Sequence, residues 1–167
     1  DRAGRVTTFT YDALGRLTST TYPDGSITGD VVYNSIGQTT STTDMLGNVT
    51  RYEYDAAGRR TRVIDPLGHV TSFTYDDIGN QLSITDANGN TTQFQYDANN
   101  RRIRTNYPDG TTETSAYDTL GRQISKTDQA GKTTQFTYDA LGKLIQVTDA
   151  LGQVTRYTYD DMGNQLT

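Results

Sequence analysis

The stretch TQFTYDALGKLIQVTDALGQVTRYTYDDMGN, from Thr134 to Asn164, states nearly the same thing twice. Each copy holds turns of the form Asp-x-x-Gly and a tyrosine placed just before one of them. Working outward, the same pattern fills the chain. Tyr33, Tyr54, Tyr75, Tyr96, Tyr117, Tyr138 and Tyr159 follow one another every 21 residues, and Tyr11 precedes Tyr33 by 22. The slip lies in SITGDVVY, where one extra residue sits near Gly29. Such fixed-period self-similarity is the mark of a repeat architecture.

Glycines keep the same lattice. Gly15, Gly37, Gly58, Gly79, Gly121, Gly142 and Gly163 each close the turn after a signature tyrosine. A second series, among them Gly4, Gly25, Gly47, Gly68, Gly89, Gly110, Gly131 and Gly152, lies midway between them. The one gap is filled by Asn100. Asparagine is the side chain that best tolerates the left-handed backbone region, so a positive φ is expected there. Asp at the first place and Gly at the fourth suit a type I turn, and Pro23, Pro66 and Pro108 all take the second place, where a fixed φ fits. A turn every 10 or 11 residues leaves strands of about six, the usual length.

The pattern therefore predicts an all-β chain: tandem 21-residue units, each of two short strands and two tight turns, joined in a long, curled antiparallel meander of about 16 strands. Its faces are assignable. Thr50/Tyr52/Tyr54, Thr92/Phe94/Tyr96 and Thr134/Phe136/Tyr138 alternate with Arg51, Glu53, Gln93 and Gln95. The intervening strands add Val63, Leu82/Ile84, Ile103, Ile124 and Ile145/Val147 to the same side. One face is aromatic and aliphatic and the other wet, as in a half-solvated antiparallel sheet. Residues paired across a hairpin point the same way, so an odd period keeps one face only if the two turns differ in loop parity. One bulged hairpin per repeat is expected.

Composition bounds the function. Of 167 residues, 32% are hydrophobic, yet 12 Tyr and 31 Thr set the chain apart from disordered sequences, which lack aromatic and β-branched residues. A net charge of −5 argues against a nucleic-acid partner. No apolar run approaches 18 residues, so no membrane-spanning helix is expected. Without cysteine there is no disulfide or thiolate metal site. The chain opens at Asp1 without methionine and reads as a single array, residues 1–167, cut from a longer protein.

Candidate chemistry is sparse. His69 is the only histidine; it follows a turn glycine and reads as an exposed loop residue, with no partners for a metal site or triad. Asp86-Ala-Asn88-Gly-Asn90 begins like a calcium loop but lacks the sixth-position glycine and the closing glutamate. The turn aspartates are otherwise explained by capping their own turns. Arg59/Arg60/Arg62 and Arg101/Arg102/Arg104 read as clusters mainly on the wet face. Glu113 and Ser115 break the repeat after Pro108, which reads as local irregularity or an opening for a partner. No catalytic, metal or cofactor constellation emerges, and no enzyme is expected.

The unit Tyr138-Asp-Ala-Leu-Gly-Lys-Leu followed by Thr148-Asp-Ala-Leu-Gly-Gln-Val-Thr resembles the YD repeat of Rhs-type proteins, a family that includes Rhs polymorphic toxins, Tc toxin shell components and teneurins. The likeness covers essentially the whole chain in about eight copies. It implies a spiral β-sheet wound into a hollow shell, which in bacteria encloses a toxic C-terminal domain. By that resemblance the chain is a structural section of such a shell, exported or on the cell surface. Its partners would be the rest of its parent shell and the enclosed toxin domain. The alternative is a cell-surface adhesion or carbohydrate-binding module with glycan partners. The chain is short for a closed shell and carries neither a toxin-like segment nor the family's self-cutting terminal region. Asp65-Pro66-Leu67-Gly68 is similar to the DPxG element at that boundary but sits on the ordinary turn lattice. Open sheet edges lead to an expectation of edge-to-edge self-association.

Overall fold

The structure, a computed structural model, describes residues 5–167; Gly4 lies outside them. Among the described residues there are sixteen strands and no helix. Strand order equals chain order throughout, and every pairing with a resolved register is antiparallel. Contacts divide the chain into two compact units. The first holds β1 (Thr8–Tyr11), β2 (Leu17–Thr21), β3 (Ile27–Thr28), β4 (Val31–Tyr33), β5 (Thr39–Thr43), β6 (Val49–Tyr54), β7 (Arg60–Ile64) and β8 (Val70–Tyr75). Strand β9 (Gln81–Thr85) is shared between the units. The second holds β10 (Thr91–Tyr96), β11 (Arg102–Asn106), β12 (Thr112–Tyr117), β13 (Gln123–Thr127), β14 (Thr133–Tyr138), β15 (Leu144–Thr148) and β16 (Val154–Arg156).

Both turns of a repeat close in the same way. At the Tyr-Asp turn, Gly58 N donates to Asp55 O at 3.0 Å and Asp55 N donates to Arg59 O at 2.9 Å. At the other turn, Gly47 N donates to Asp44 O at 3.1 Å and Asp44 N to Asn48 O at 2.9 Å. Each is a type I turn followed by a residue in the left-handed region, the three-residue hairpin loop. The expectation that the two loops differ in parity is therefore corrected. The extra residue lies in the ladder, beside the tyrosine. Glu53 faces Arg62 while Tyr54 faces Arg60, so two residues of β6 span three of β7. The same shift recurs at Thr10/Tyr11, Val32/Tyr33, Gln95/Tyr96, Ala116/Tyr117 and Thr137/Tyr138. The alternate hairpins keep an unbroken register, as in Ser41↔Arg51, Thr42↔Thr50 and Thr43↔Val49. One bulged hairpin per repeat is what an odd period requires, because the bulge restores the side on which side chains fall.

The face assignment holds for the tyrosine strands in both units and is corrected at Leu82 and Ile124, which are exposed, Ile124 being the residue skipped where the register shifts. In β6, Thr50, Tyr52 and Tyr54 are half-buried and alternate with exposed Arg51 and Glu53. In β10, Thr92, Phe94 and Tyr96 alternate with exposed Gln93 and Gln95. Register partners on this side pack apolar on apolar: Tyr52 opposite Val63 in the first unit, Phe136 opposite Val147 in the second. Yet among the described residues no hydrophobic side chain is buried; only Thr20 and Thr105 are, and neither completely. Within each unit the apolar side of the pleated sheet stays half-open.

The slip near Gly29 marks a break between sheets. Strand β3 belongs to a three-stranded sheet with β1 and β2, whereas β4 starts the other sheet. Gly29 crosses directly over the β5 end: a Cβ there would stand 1.3 Å from Thr43 O. Beside it, Thr43 N donates to Asp30 O at 2.8 Å.

Candidate functional site

The repeated chemistry of this chain is concentrated at the Tyr-Asp turns. The first residue caps its own turn. Asp55 Oδ1 accepts from Ala57 N at 3.0 Å and Arg59 N at 2.9 Å. Asp97, Asp118, Asp139 and Asp160 do the same in the second unit. Asn34 substitutes for aspartate in the turn closed by Gly37, with Ile36 N and Gln38 N as donors. These local side-chain bonds are the physical reason for an Asx residue at this place.

The residue after the turn glycine reaches onward to the next repeat. Arg122 Nε donates to Asp118 Oδ2 at 2.7 Å, its Nη1 donates to Asp139 O at 3.1 Å, and its guanidinium lies 4.8 Å from the centre of the Tyr138 ring. Arg101 repeats the arrangement on Asp97, Asp118 O and Tyr117, and Lys143 lies over Tyr159. In the first unit, Arg59 holds Asp55, Asp76 O and Tyr75, and Arg16 holds Asp12, Asn34 O and Tyr33. Where glutamine replaces arginine, Gln38 Nε2 donates to Gly58 O at 2.7 Å. The tyrosines complete the link backwards. Tyr54 OH donates to Thr39 O at 2.7 Å, Tyr75 OH to Arg60 O, Tyr96 OH to Gln81 O, Tyr138 OH to Gln123 O and Tyr159 OH to Leu144 O, always 15 residues earlier. Tyr33 OH bonds Leu17 O, 16 residues earlier, absorbing the slip. Tyr11 is exposed.

This corrects the reading of the basic clusters. Arg59 and Arg101 are stitches along the turn edge, and Arg60 and Arg102 lie over the rings of Tyr52 and Phe94. Only Arg62, with both Glu53 oxygens at 2.9 Å, and Arg104, with Asn106, keep to the wet side. The bulge beside each tyrosine turns Arg60 and Arg102 toward the aromatic face, and period-two counting misses that. A signal was nonetheless present. Arg16, Gln38, Arg59, Asn80, Arg101, Arg122, Lys143 and Asn164 form a long polar series in step with the tyrosines.

The turn carboxylates are tuned accordingly. Ten described aspartates fall below the ordinary value of 3.8. For Asp55 the chief cause is the Arg59 backbone N–H, and for Asp97 it is the Arg101 side chain. For Asp44, Asp86 and Asp160 it is the amide of Asn48, Asn90 and Asn164. At Asp118 desolvation pulls upward, and the hydrogen bonds from Arg122 outweigh it. Asp86 uses its oxygens on Asn88 N, Asn90 N and Asn90 Nδ2, the arrangement of a capped turn. His69 is exposed, with Nδ1 2.8 Å from Asp65 Oδ2. Asp65-Pro66-Leu67-Gly68 closes as an ordinary turn, Gly68 N donating to Asp65 O at 3.0 Å. Among the described residues no group of three or more His, Asp or Glu gathers at metal-binding distance.

Turn tips carry another regular feature. In six of the eight Tyr-Asp turns the third residue is a large apolar side chain left in solvent, Leu14, Ile36 and Ile78 in the first unit and Leu120, Leu141 and Met162 in the second, at 71–91% exposure; Ala57 and Asn99 take the place in the other two.

The sequence profile described as RHS Repeat matches residues 1–27, 33–70, 75–112, 117–151 and 138–167, leaving out the break at Gly29. Comparison with curated proteins returns no match. Among solved structures, the chain is similar to the Tc holotoxin pore of Photorhabdus luminescens, at 19% identity and TM-score 0.71, over 95% of this chain and 10% of that one. A TcdB2-TccC3-Cdc42 structure matches at 19% identity and TM-score 0.71 over 96% of this chain and 10% of that one. TcdB2-TccC3 without its hypervariable C-terminal region matches at 20% identity and TM-score 0.71 over the same shares. The chain thus spans about a tenth of the length of the structures it matches. With the profile matching repeat after repeat across the turn lattice, the chain belongs to the RHS repeat family.

Proposed function

We propose that this chain is a length of wall in a larger RHS-type β-sheet shell, that the shell holds a toxin domain of its parent, and that the wall has no catalytic part. The observation that carries the reading is the half-open apolar face. A sheet with no buried hydrophobic residue among the described residues, and with aliphatic turn tips in solvent, has an apolar side suited to being covered by more of the same structure. The signature tyrosines and turn glycines serve as the stitching of that wall. The neighbouring structures, Tc toxin assemblies that include TccC3, support a shell and toxin partnership and export from a bacterium. The adhesion reading is less well supported, because the Tyr52 and Phe94 rings are already covered by Arg60 and Arg102 rather than offered to a sugar.

The test is limited proteolysis of the full parent protein. Containment predicts that a domain following the repeats survives protease while the wall is intact. It becomes cleavable when the wall is opened by an engineered protease site in a turn such as Asp139–Gly142. A following domain digested equally fast before and after opening overturns the proposal.

A further inference from the structure

The strands β12 and β13 depart from their neighbours at three places on one face. Glu113 stands where the adjoining repeats carry Thr92 and Thr134, and Ser115 where they carry Phe94 and Phe136. Lys126 stands where Val63 and Val147 face the rings in other repeats. Register brings the three together. Ser115 pairs with Lys126, and Glu113 pairs with Thr105 of β11. Directly opposite residues on one face have Cβ atoms about 5 Å apart, and diagonal ones stay within reach of long side chains. Lys126 therefore lies across from the vacated ring position, with Glu113 diagonal to it.

At the position vacated by the ring lies a half-open cavity of about 280 Å³. Ile103 and Tyr117 line it as apolar wall, and Gln123 borders it, donating from Nε2 to Ser115 Oγ at 2.9 Å. Arg102 also lines it, its guanidinium lying over the Phe94 ring 5.3 Å from the centroid. Loss of a ring alone leaves an apolar hole that costs stability. Here the cavity is lined by the ammonium of Lys126 and by two arginines, Arg102 and Arg104 (the latter bonded through Nε to Asn106 Oδ1), against a single carboxylate, Glu113. The cavity is locally cationic in a chain whose net charge is −5. A space with room for an aromatic ring, with cations beside it and one carboxylate on its diagonal, favours a ligand that carries a ring and an anionic group.

We propose that this cavity binds a small aromatic carboxylate carrying a hydrogen-bond donor on its far side. The ligand ring takes the place held by Phe94 and Phe136 in the adjoining repeats. Its carboxylate meets Lys126 and the field of Arg102, and its donor meets Glu113. The same chemistry is offered by a free aromatic acid and by a tyrosine at the C-terminus of another polypeptide.

The test uses this 167-residue chain, isotope-labelled, in NMR titrations with 4-hydroxybenzoate, with a short peptide ending in tyrosine, and with phenol. Saturable shifts of the Ser115, Gln123 and Lys126 amides are expected with one or both carboxylates, with phenol at least ten-fold weaker. Tighter binding of the peptide assigns the source to a chain terminus; tighter binding of the acid assigns it to a metabolite. Ser115→Phe restores the ring of the adjoining repeats, so it abolishes binding while the melting temperature stays equal or rises. Lys126→Val weakens binding ten-fold or more. Should Ser115→Phe fail to fold, Lys126→Val and Glu113→Thr, each restoring a residue of other repeats, carry the test. Absence of saturable shifts with both carboxylates, or binding unchanged by Lys126→Val, overturns the proposal.

Discussion

At Asn100 the backbone takes φ 62°, as glycine does at the equivalent places, for example 86° at Gly121. The substitution was legible from the lattice because asparagine tolerates this region where other side chains meet their own carbonyl. Asn100→Gly is expected to change stability by less than about 0.5 kcal/mol, while Asn100→Ala costs about 1–2 kcal/mol, measured by urea unfolding. Gly29 is a different case. It was legible only as a residue off the lattice; its reason is the Thr43 carbonyl lying where a Cβ would go. Gly29→Ala therefore costs more than Asn100→Ala, because backbone must move rather than twist. Equal costs for the two substitutions would show that the Gly29 crossing gives way easily.

At the scale of the element, Tyr-Asp hairpins are linked to their neighbours by arginine stitches at Arg16, Arg59, Arg101 and Arg122 and by the hydroxyls of Tyr33, Tyr54, Tyr75, Tyr96, Tyr138 and Tyr159. Removing the Tyr138 hydroxyl with Tyr138→Phe deletes one bond to Gln123 O, at a net cost of about 1 kcal/mol. Arg122→Ala deletes the contact over the same ring, worth about 0.5–1 kcal/mol at an exposed site, along with its carbonyl bond. Because both changes act on Tyr138, the double variant should depart from additivity, whereas Arg122→Ala combined with Asn100→Gly should not. Strict additivity of the first pair, read from unfolding curves, would show that the arginine and the hydroxyl act on Tyr138 independently. The strands and turns were readable from period and turn chemistry. The stitch was not, since its partners lie one repeat away and the bulge reverses the side on which Arg60 and Arg102 fall.

At the scale of the whole molecule, the turn aspartates couple stability to pH. Their folded values lie below the ordinary 3.8, so their contribution is fully present above that value and is lost as pH falls through the lower folded values. Melting temperature should be level in pH above about 5 and fall below about 4. A melting temperature unchanged down to pH 2.5 would contradict this. The exposed turn tips and the outer edge of β16 predict association of the chain as its concentration rises, followed by sedimentation velocity. Leu141→Asn should reduce the association without loss of folding, because asparagine already occupies that turn position at Asn88 and Asn99. A monomer at every concentration would count against both edges and tips as contact surfaces. The repeat period, the turn type and the wet and apolar faces came from the linear pattern alone, because turn geometry and side-chain alternation are set by neighbours within a few residues. The placement of the bulge in the ladder, the stitch between repeats, the close crossing at Gly29 and the cavity beside Ser115 were decided in three dimensions. Each depends on atoms 6 or more positions apart in the chain, 17 for Arg122 and Asp139, brought together only when strands pair.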